Sequence, residues 1–583
     1  MFSIKSRRPL FISLGLCLAL CLGLVLGYLT SHVFSEDAKF QKFTRQLFQS
    51  EVNGSTLNLH YTLAHPEDYK VASEQVTLGT IPTDPSSTYS QLENYEQSLQ
   101  DFSYEDLSKD NQLTLDLLLL YFHTERSLGD QYLLEEILSP SLGTQAQLPI
   151  LLAEYAFYDK QDITDYLKLL TCVGDYFKSI LDFEREKSQA GYFMSDTTLD
   201  RILEQCQAFI KNPSDNYLQE IFQDKLNDFS GLSKKEKKQC IATHQKLIEN
   251  SLIPAYENLM EGLEELRGTG KNENGLYYLG GGQEYYQYLL RSQVGVYASP
   301  EVIEQRLYRQ LFADYQEMSE LLEEHPDLIS RVFSEDLPKS KPKDTLEELE
   351  SLYQKDFPKL EEPKYEVKYV HKSMEDYLSP AFYLTPPIDT QSPNTIYINR
   401  ASQTSNLELF TTLAHEGFPG HLYQTLYFSR QDPDPIRNLI TCGGYIEGWA
   451  TYIESYAYGY ADAAPELTRL LWLNRSVNLN LYCLLDIGIH YHGWTLSQVS
   501  QYLKMFGFQD EAVIEEIYQY IIEPPANYLR YYVGYLGFYD LKSAVQQKEG
   551  NSFDLKEFHR DVLEIGPAPF PIVQKYLGLS SKN

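Results

Sequence analysis

The sequence predicts a mainly helical body of two lobes with a small β element, and three observations carry that expectation. Apolar residues recur at threes and fours through most of the first half. A polar connection, Ser334 to Lys343 with Pro338 and Pro342, interrupts the chain. Two short segments rich in β-formers lie just upstream of its most chemically dense stretch.

At the N-terminus, Lys5, Arg7 and Arg8 precede an apolar run from Pro9 to about Leu29, the pattern of a secretion signal. The run is also long enough to span a bilayer as an uncleaved anchor. Residues 1–35 therefore read as signal peptide or membrane anchor. A cut after Ser35, with Val33 three places from the cut, is one option, and neither Cys17 nor Cys21 sits in a lipid-attachment box. Either way the body is expected outside the cytoplasm, secreted or held at the membrane by this segment alone.

Residues 36–333 form the expected N-terminal helical lobe. Leu113, Leu115, Leu117 to Leu120 and Tyr121 make one apolar stretch, and Ile202 to Ile210 and Leu247 to Leu266 carry helical spacing. Asp84 to Ser87 and Gly268 to Asn272 read as loops, and Gly280 to Tyr286 as a flexible loop on the substrate side. The second lobe is placed at 345–583. In it, Ser379 to Leu384 and Thr395 to Asn399 read as a hairpin or two paired strands, with Tyr397 a candidate substrate contact, since a peptide can add as a strand to such an edge.

Composition narrows the function. Lys and Arg number 49 against 82 Asp and Glu, a net charge of −33 that argues against nucleic acid, whose phosphates need a basic face. Cys172, Cys206, Cys240, Cys442 and Cys483, the five cysteines beyond the leader, are odd in number and scattered, so free thiols are expected.

The dense stretch is Leu413-Ala414-His415-Glu416-Gly417-Phe418-Pro419-Gly420-His421, followed by Glu447. A catalytic zinc takes about three protein ligands and keeps one position open, and two His with one Glu form a favoured set. His415, His421 and Glu447 are the expected ligands of one Zn2+ per chain, with Glu416 the base that deprotonates water. The histidines are six apart, however, and an unbroken helix would turn them roughly 120° from each other. Pro419 cannot donate to the carbonyl of His415, and Gly417 and Gly420 accept unusual backbone angles. A kink, a wide turn, or a new helix with Pro419 at its first position would bring His421 back.

Glu447 and Glu454, in Gly443-Gly444-Tyr445-Ile446-Glu447-Gly448-Trp449-Ala450-Thr451-Tyr452-Ile453-Glu454, share a helix face about 10 Å apart along the axis. Both cannot bind one ion on a regular helix, so Glu454 is expected to orient a ligand histidine or to meet a charged end of substrate. Asp486 and His490 stand at i and i+4, where Asp486 would orient His490. An oxyanion donor is needed beside the metal. In Asn527-Tyr528-Leu529-Arg530-Tyr531-Tyr532, Tyr531 is favoured, with His490 the other candidate, and Arg530 is a candidate for a substrate carboxylate.

These motifs, with Leu59-His60-Tyr61-Thr62-Leu63, Pro525 to Gly534 and Phe558-His559 to Gly566-Pro567, resemble the bacterial domain-of-unknown-function family 885 over nearly the whole mature chain. That family is similar to gluzincin-type zinc peptidases, and the Tyr-rich run resembles the segment lining the cleft of helical oligopeptidases of the thimet type. The resemblance implies a two-lobed, helical, metallopeptidase-like fold and hydrolysis of short peptides. Pro525-Ala526-Asn527-Tyr528 departs from the Pro-Gly-Gln-Ala expected there. The rival reading is a non-catalytic peptide-binding or cell-wall-associated scaffold.

Overall fold

The computed structural model describes residues 35–579 except 72–74, 141, 214–215, 271, 373–374 and 376–377. Residues 1–34 of the expected N-terminal signal or anchor lie outside the described residues, and among those described no helix is long and apolar enough to cross a membrane.

The described residues are mainly helical, as the periodicity predicts, and include a three-stranded sheet where two strands were expected. Serine caps start many helices: the hydroxyls of Ser108, Ser195 and Ser405 accept the N–H three residues on, satisfying donors that the first turn leaves free. The Leu113–Tyr121 stretch lies in helix Lys109–Arg126, and Ile202–Ile210 in helix Asp196–Ile210. The expected loop at 280–286 is corrected. Helix Gly282–Leu289 starts there, with Tyr285 and Tyr286 buried, because their rings fill the core instead of facing solvent.

The sheet comprises β1 (Glu366–Tyr369), β2 (Ala381–Leu384) and β3 (Thr395–Ile398) in the order β1-β3-β2. β2 pairs antiparallel with β3, Ala381 opposite Ile398, and β1 pairs parallel with β3, Glu366 opposite Thr395. The sheet separates two hydrophobic cores, since alternate residues of a strand face opposite sides. Ala381, Ile396 and Ile398 join the larger core, while Phe382 and Tyr397 pack on the smaller one.

The smaller core is built from helices between about 144 and 264. The larger core unites the C-terminal half with Phe40 to Leu134 and Leu276 to Leu311. Most buried apolar residues from Phe40 to Leu134 thus join the C-terminal body across the expected 333/345 boundary, while Leu57 and Leu78 pack on the smaller core. Amphipathic spacing shows that a helix has a buried face but not which partner covers it.

Helices Gly443–Tyr460 and Asn527–Glu549 cross backbone to backbone. A Cβ on Gly448 would lie 2.3 Å from the carbonyl carbon of Gly534, and one on Gly534 would lie 2.2 Å from the oxygen of Gly444. Only glycine lets the two backbones approach this closely, and the approach sets Arg530 and Tyr531 beside Glu447.

Candidate metal centre

Helix Asn406–Glu416 stops one residue after His415, and a new helix, His421–Ser429, begins at the second histidine. Between them Gly417 adopts φ −111°, ψ −96°, the Phe418–Pro419 peptide is cis, and Gly420 adopts φ −79°, ψ −136°. The helix is thus broken and restarted, with Pro419 in the connecting turn and not at the first helical position. A Cβ on Gly420 would stand 1.8 Å from the His415 carbonyl oxygen, so the turn folds back onto the helix it leaves. The indole N–H of Trp449 donates to the Pro419 carbonyl at 2.9 Å, fastening that turn to the helix that carries Glu447. The two imidazoles end with centroids 4.8 Å apart and planes at 86°.

One ligand atom from each of His415, His421 and Glu447 lies within 4.8 Å of the others. Glu447 Oε2 is 3.7 Å from His415 Nε2 and 3.5 Å from His421 Nε2. These separations exceed those of good hydrogen bonds, 2.7–3.2 Å. They approach the roughly 3.4 Å between two ligands of a tetrahedral ion with bonds of about 2.0–2.1 Å. All three side chains are mostly buried but not sealed, with exposures of 12, 14 and 23 % for His415, His421 and Glu447. The donor set and its spacing fit zinc.

The other nitrogen of His415 is occupied: Nδ1 is 2.9 Å from Glu454 Oε1, while Glu454 Oε2 accepts from Arg475 Nε at 3.1 Å. Glu447 and Glu454 therefore reach opposite nitrogens of a single ring, which is how two carboxylates seven residues apart serve one site. Burial pushes the Glu454 carboxyl up, but Arg475 and His415 bring it down to about 2. Burial pushes His415 down, and Glu447, Glu454 and Glu416 more than offset this, raising it to about 10. Glu447 is held well below the usual carboxylate range, burial notwithstanding, by His415 and His421. A ring this rich in carboxylate neighbours attracts a cation, whether proton or metal.

Glu416 is the residue after the first ligand. Its Oε2 accepts the Tyr383 N–H of β2 at 2.9 Å, and its Oε1 lies 4.0 Å from His415 Nε2. One oxygen is thus anchored to the sheet edge while the other faces the cluster. Tyr531 lies close enough to feel the same carboxylates: burial pushes its phenol up to about 12, Glu447 and Glu416 adding to the rise and Arg530 opposing it. Arg530 rests its side chain on Gly443 and donates from Nη2 to Asn527 Oδ1.

The structure does not bring His490 into this cluster. Its Nδ1 accepts the Leu276 N–H at 3.2 Å and its Nε2 donates to the Ile521 carbonyl at 2.9 Å, so both nitrogens are spent on backbone. Asp486 does not orient it: the Asp486 carboxylate takes the Tyr286 hydroxyl at 2.6 Å and the Ala526 N–H at 3.1 Å. That bond secures the turn before helix Asn527–Glu549, where Ala526 holds φ 64°, a left-handed angle suited to the glycine that the family pattern has there. Tyr397 gives its hydroxyl to Glu154 at 2.6 Å and stacks on Phe382, so it ties the sheet to the smaller core. His559 is also structural, accepting from Tyr452 and donating to the Asp356 carbonyl.

The sequence reading did not single out three contributors, two of which carry no signal there. Arg475 carries no motif signal, and the Tyr383 amide is a backbone group. Trp449 sits in the quoted Glu-Gly-Trp run, where its indole could have been flagged as a donor.

A profile of the family described as "Bacterial protein of unknown function (DUF885)" matches residues 82–577. No curated protein matches the sequence. A lipoprotein candidate from Colwellia psychrerythraea superposes with a TM-score of 0.81 at 19 % identity, covering 94 % of this chain and 99 % of its own. A second, of unknown function, from Shewanella oneidensis, superposes with a TM-score of 0.62 at 16 % identity, covering 92 % and 99 %. Both share the fold.

Proposed function

The chain belongs to the DUF885 family of bacterial proteins, and from that premise we propose that it is an extracytoplasmic zinc-dependent peptidase acting on short peptides. The observation that carries this reading is the convergence of His415, His421 and Glu447 with a carboxylate, Glu416, that has one oxygen anchored and the other turned toward the same point. His415, with its Nδ1 occupied by Glu454, would present Nε2 to the ion, joined by His421 Nε2 and Glu447 Oε2. When bound, zinc supplies Lewis acidity that makes water a nucleophile near neutral pH and polarises a carbonyl.

The protein's own groups do the rest. Glu416 Oε1 takes a proton from the attacking water and passes it to the leaving amine. The Tyr383 amide keeps that carboxylate from rotating away. Tyr531, whose raised pKa keeps its proton in place at neutral pH, donates to the oxyanion that forms at the attacked carbonyl. An extracytoplasmic place is supported by the basic and apolar N-terminus and by the description of both similar structures as lipoprotein candidates. The preference for short peptides rests on the resemblance to helical oligopeptidases.

The test is metal content and turnover together. The purified protein should hold about one zinc per chain, cut short peptides, lose activity on chelation and regain it with added zinc. Binding of peptides without metal and without cleavage would replace this reading with the scaffold one.

A further inference from the structure

Arg530 differs from three arginines on other helices. Arg475 is paired with Glu454, Arg469 with Glu317 and Arg306 with Asp540. Among the described residues Arg530 has no carboxylate partner, and its one hydrogen bond goes to the neutral amide oxygen of Asn527. Its Nε is buried without any acceptor. Burying the root of a guanidinium without an anion costs free energy that a chain with 82 acidic residues could readily have offset.

The location gives the unpaired charge a use. A Cβ on Gly443 would lie 2.7 Å from Arg530 Cδ, and Gly443 is four residues before Glu447 on the same helix face. That places the Arg530 stem about 6 Å along the axis from the third ligand position. Tyr531, the next residue, feels the carboxylates of Glu447 and Glu416. With a divalent cation in the cluster, Glu447 and Glu416 are balanced, and Glu454 is balanced by Arg475. Arg530 is then the cation left over. A peptide residue spans about 3.3–3.6 Å, so an anion at Arg530 lies one or two residues beyond a carbonyl held at the cluster.

We propose that Arg530 binds the terminal carboxylate of the peptide, which makes the protein a carboxypeptidase-type enzyme removing one or two residues from free C-termini. This rests on the peptidase reading and specifies its substrate. The scissile C–N bond breaks, the oxygen of water joins the acyl carbon, and the proton taken up by Glu416 goes to the amine of the released fragment. With Nε buried, the carboxylate meets the outer Nη1/Nη2 edge of the guanidinium, a charge-assisted contact.

Two measurements test it. In the zinc-loaded Glu416→Gln protein, calorimetry should show N-acetyl-tetra-alanine binding about 10- to 100-fold more tightly as the free acid than as the C-terminal amide. Arg530→Gln should shrink that ratio below about threefold. In the unaltered protein, mass spectrometry of peptide digests should show loss of one or two C-terminal residues from free acids and not from amides. Acid and amide bound alike, neither bound, or amides cut as well as acids would overturn the carboxylate site. Internal or N-terminal cleavage would do so while leaving the peptidase reading intact. Acid-selective, Arg530-dependent binding with no cleavage would keep the site and remove the peptidase reading instead.

Discussion

His415 and His490 each have a carboxylate near in space or in sequence, and they end in opposite states. His415 meets Glu454 across two helices at 2.9 Å and keeps Nε2 directed at the Glu447 carboxylate. His490, with Asp486 one turn away on its own helix, does not bond it and spends both nitrogens on backbone groups. Carboxylates raise His415 to about 10, whereas burial lowers His490 to about 4. An imidazole can serve a metal only when one nitrogen is left open, a partner on the other helps to orient it, and spacing on a helix decides neither.

The largest effect that separates the two regions is loss of the ion. Glu447→Ala and His421→Ala should each abolish stoichiometric zinc after dialysis against a weak chelator, because each removes a bond to the metal. His490→Gln should leave the zinc content unchanged. Retention of zinc by Glu447→Ala would shift the ligand role to another carboxylate.

Glu416→Gln comes next. It should keep zinc, since Gln preserves shape but cannot accept the proton, while turnover falls about 10²–10⁴-fold. Steady-state rates with zinc assayed in the same sample decide this, and undiminished rates would remove Glu416 from the chemistry.

Glu454→Gln should weaken zinc binding by about 10- to 100-fold, the usual cost of losing a partner that orients a ligand histidine. Gly420→Ala should also weaken it although no ligand is touched, because the added Cβ would lie 1.8 Å from the His415 carbonyl oxygen. Competition with a zinc-binding dye reads both. Asp486→Asn, the matched change in the other region, should leave zinc affinity within about twofold and lower the melting temperature.

The smallest effect is the acid response of His490. Its folded pKa of about 4 lies below the ordinary histidine value of about 6.5. Between these values the unfolded chain holds the extra proton, so the His490 contribution is full above about 6.5 and is lost as pH falls toward 4. Relative to His490→Gln, the natural protein should lose about 1.4 kcal/mol of stability per pH unit in that window. Denaturant unfolding of both at several pH values measures the slope, and parallel curves would contradict the buried neutral ring.

Much of this was legible in the sequence because it is local. Periodicity marks the helices, β-formers mark β2 and β3, and the Gly-Phe-Pro-Gly run announces a break between His415 and His421. β1 was missed although Glu366-Val-Lys-Tyr369 alternates, because four residues of alternation are a weak signal without a visible partner. What was not legible depends on long-range contact: the union of Phe40 to Leu134 with the C-terminal core, the glycine crossing at Gly448 and Gly534, and Arg475 behind Glu454. Asp486 and His490 misled because i,i+4 spacing permits a contact without requiring one, and a buried ring takes whichever backbone groups surround it.

The central claim is that His415, His421 and Glu447 jointly hold a zinc ion. Anomalous diffraction at the zinc absorption edge, from crystals of the protein purified without added metal, tests it most directly. The account predicts one peak per chain, about 2.0–2.1 Å from His415 Nε2, His421 Nε2 and a Glu447 oxygen, with Glu454 still on His415 Nδ1. A zinc-free cluster, or a peak held by a different set of residues, would contradict it.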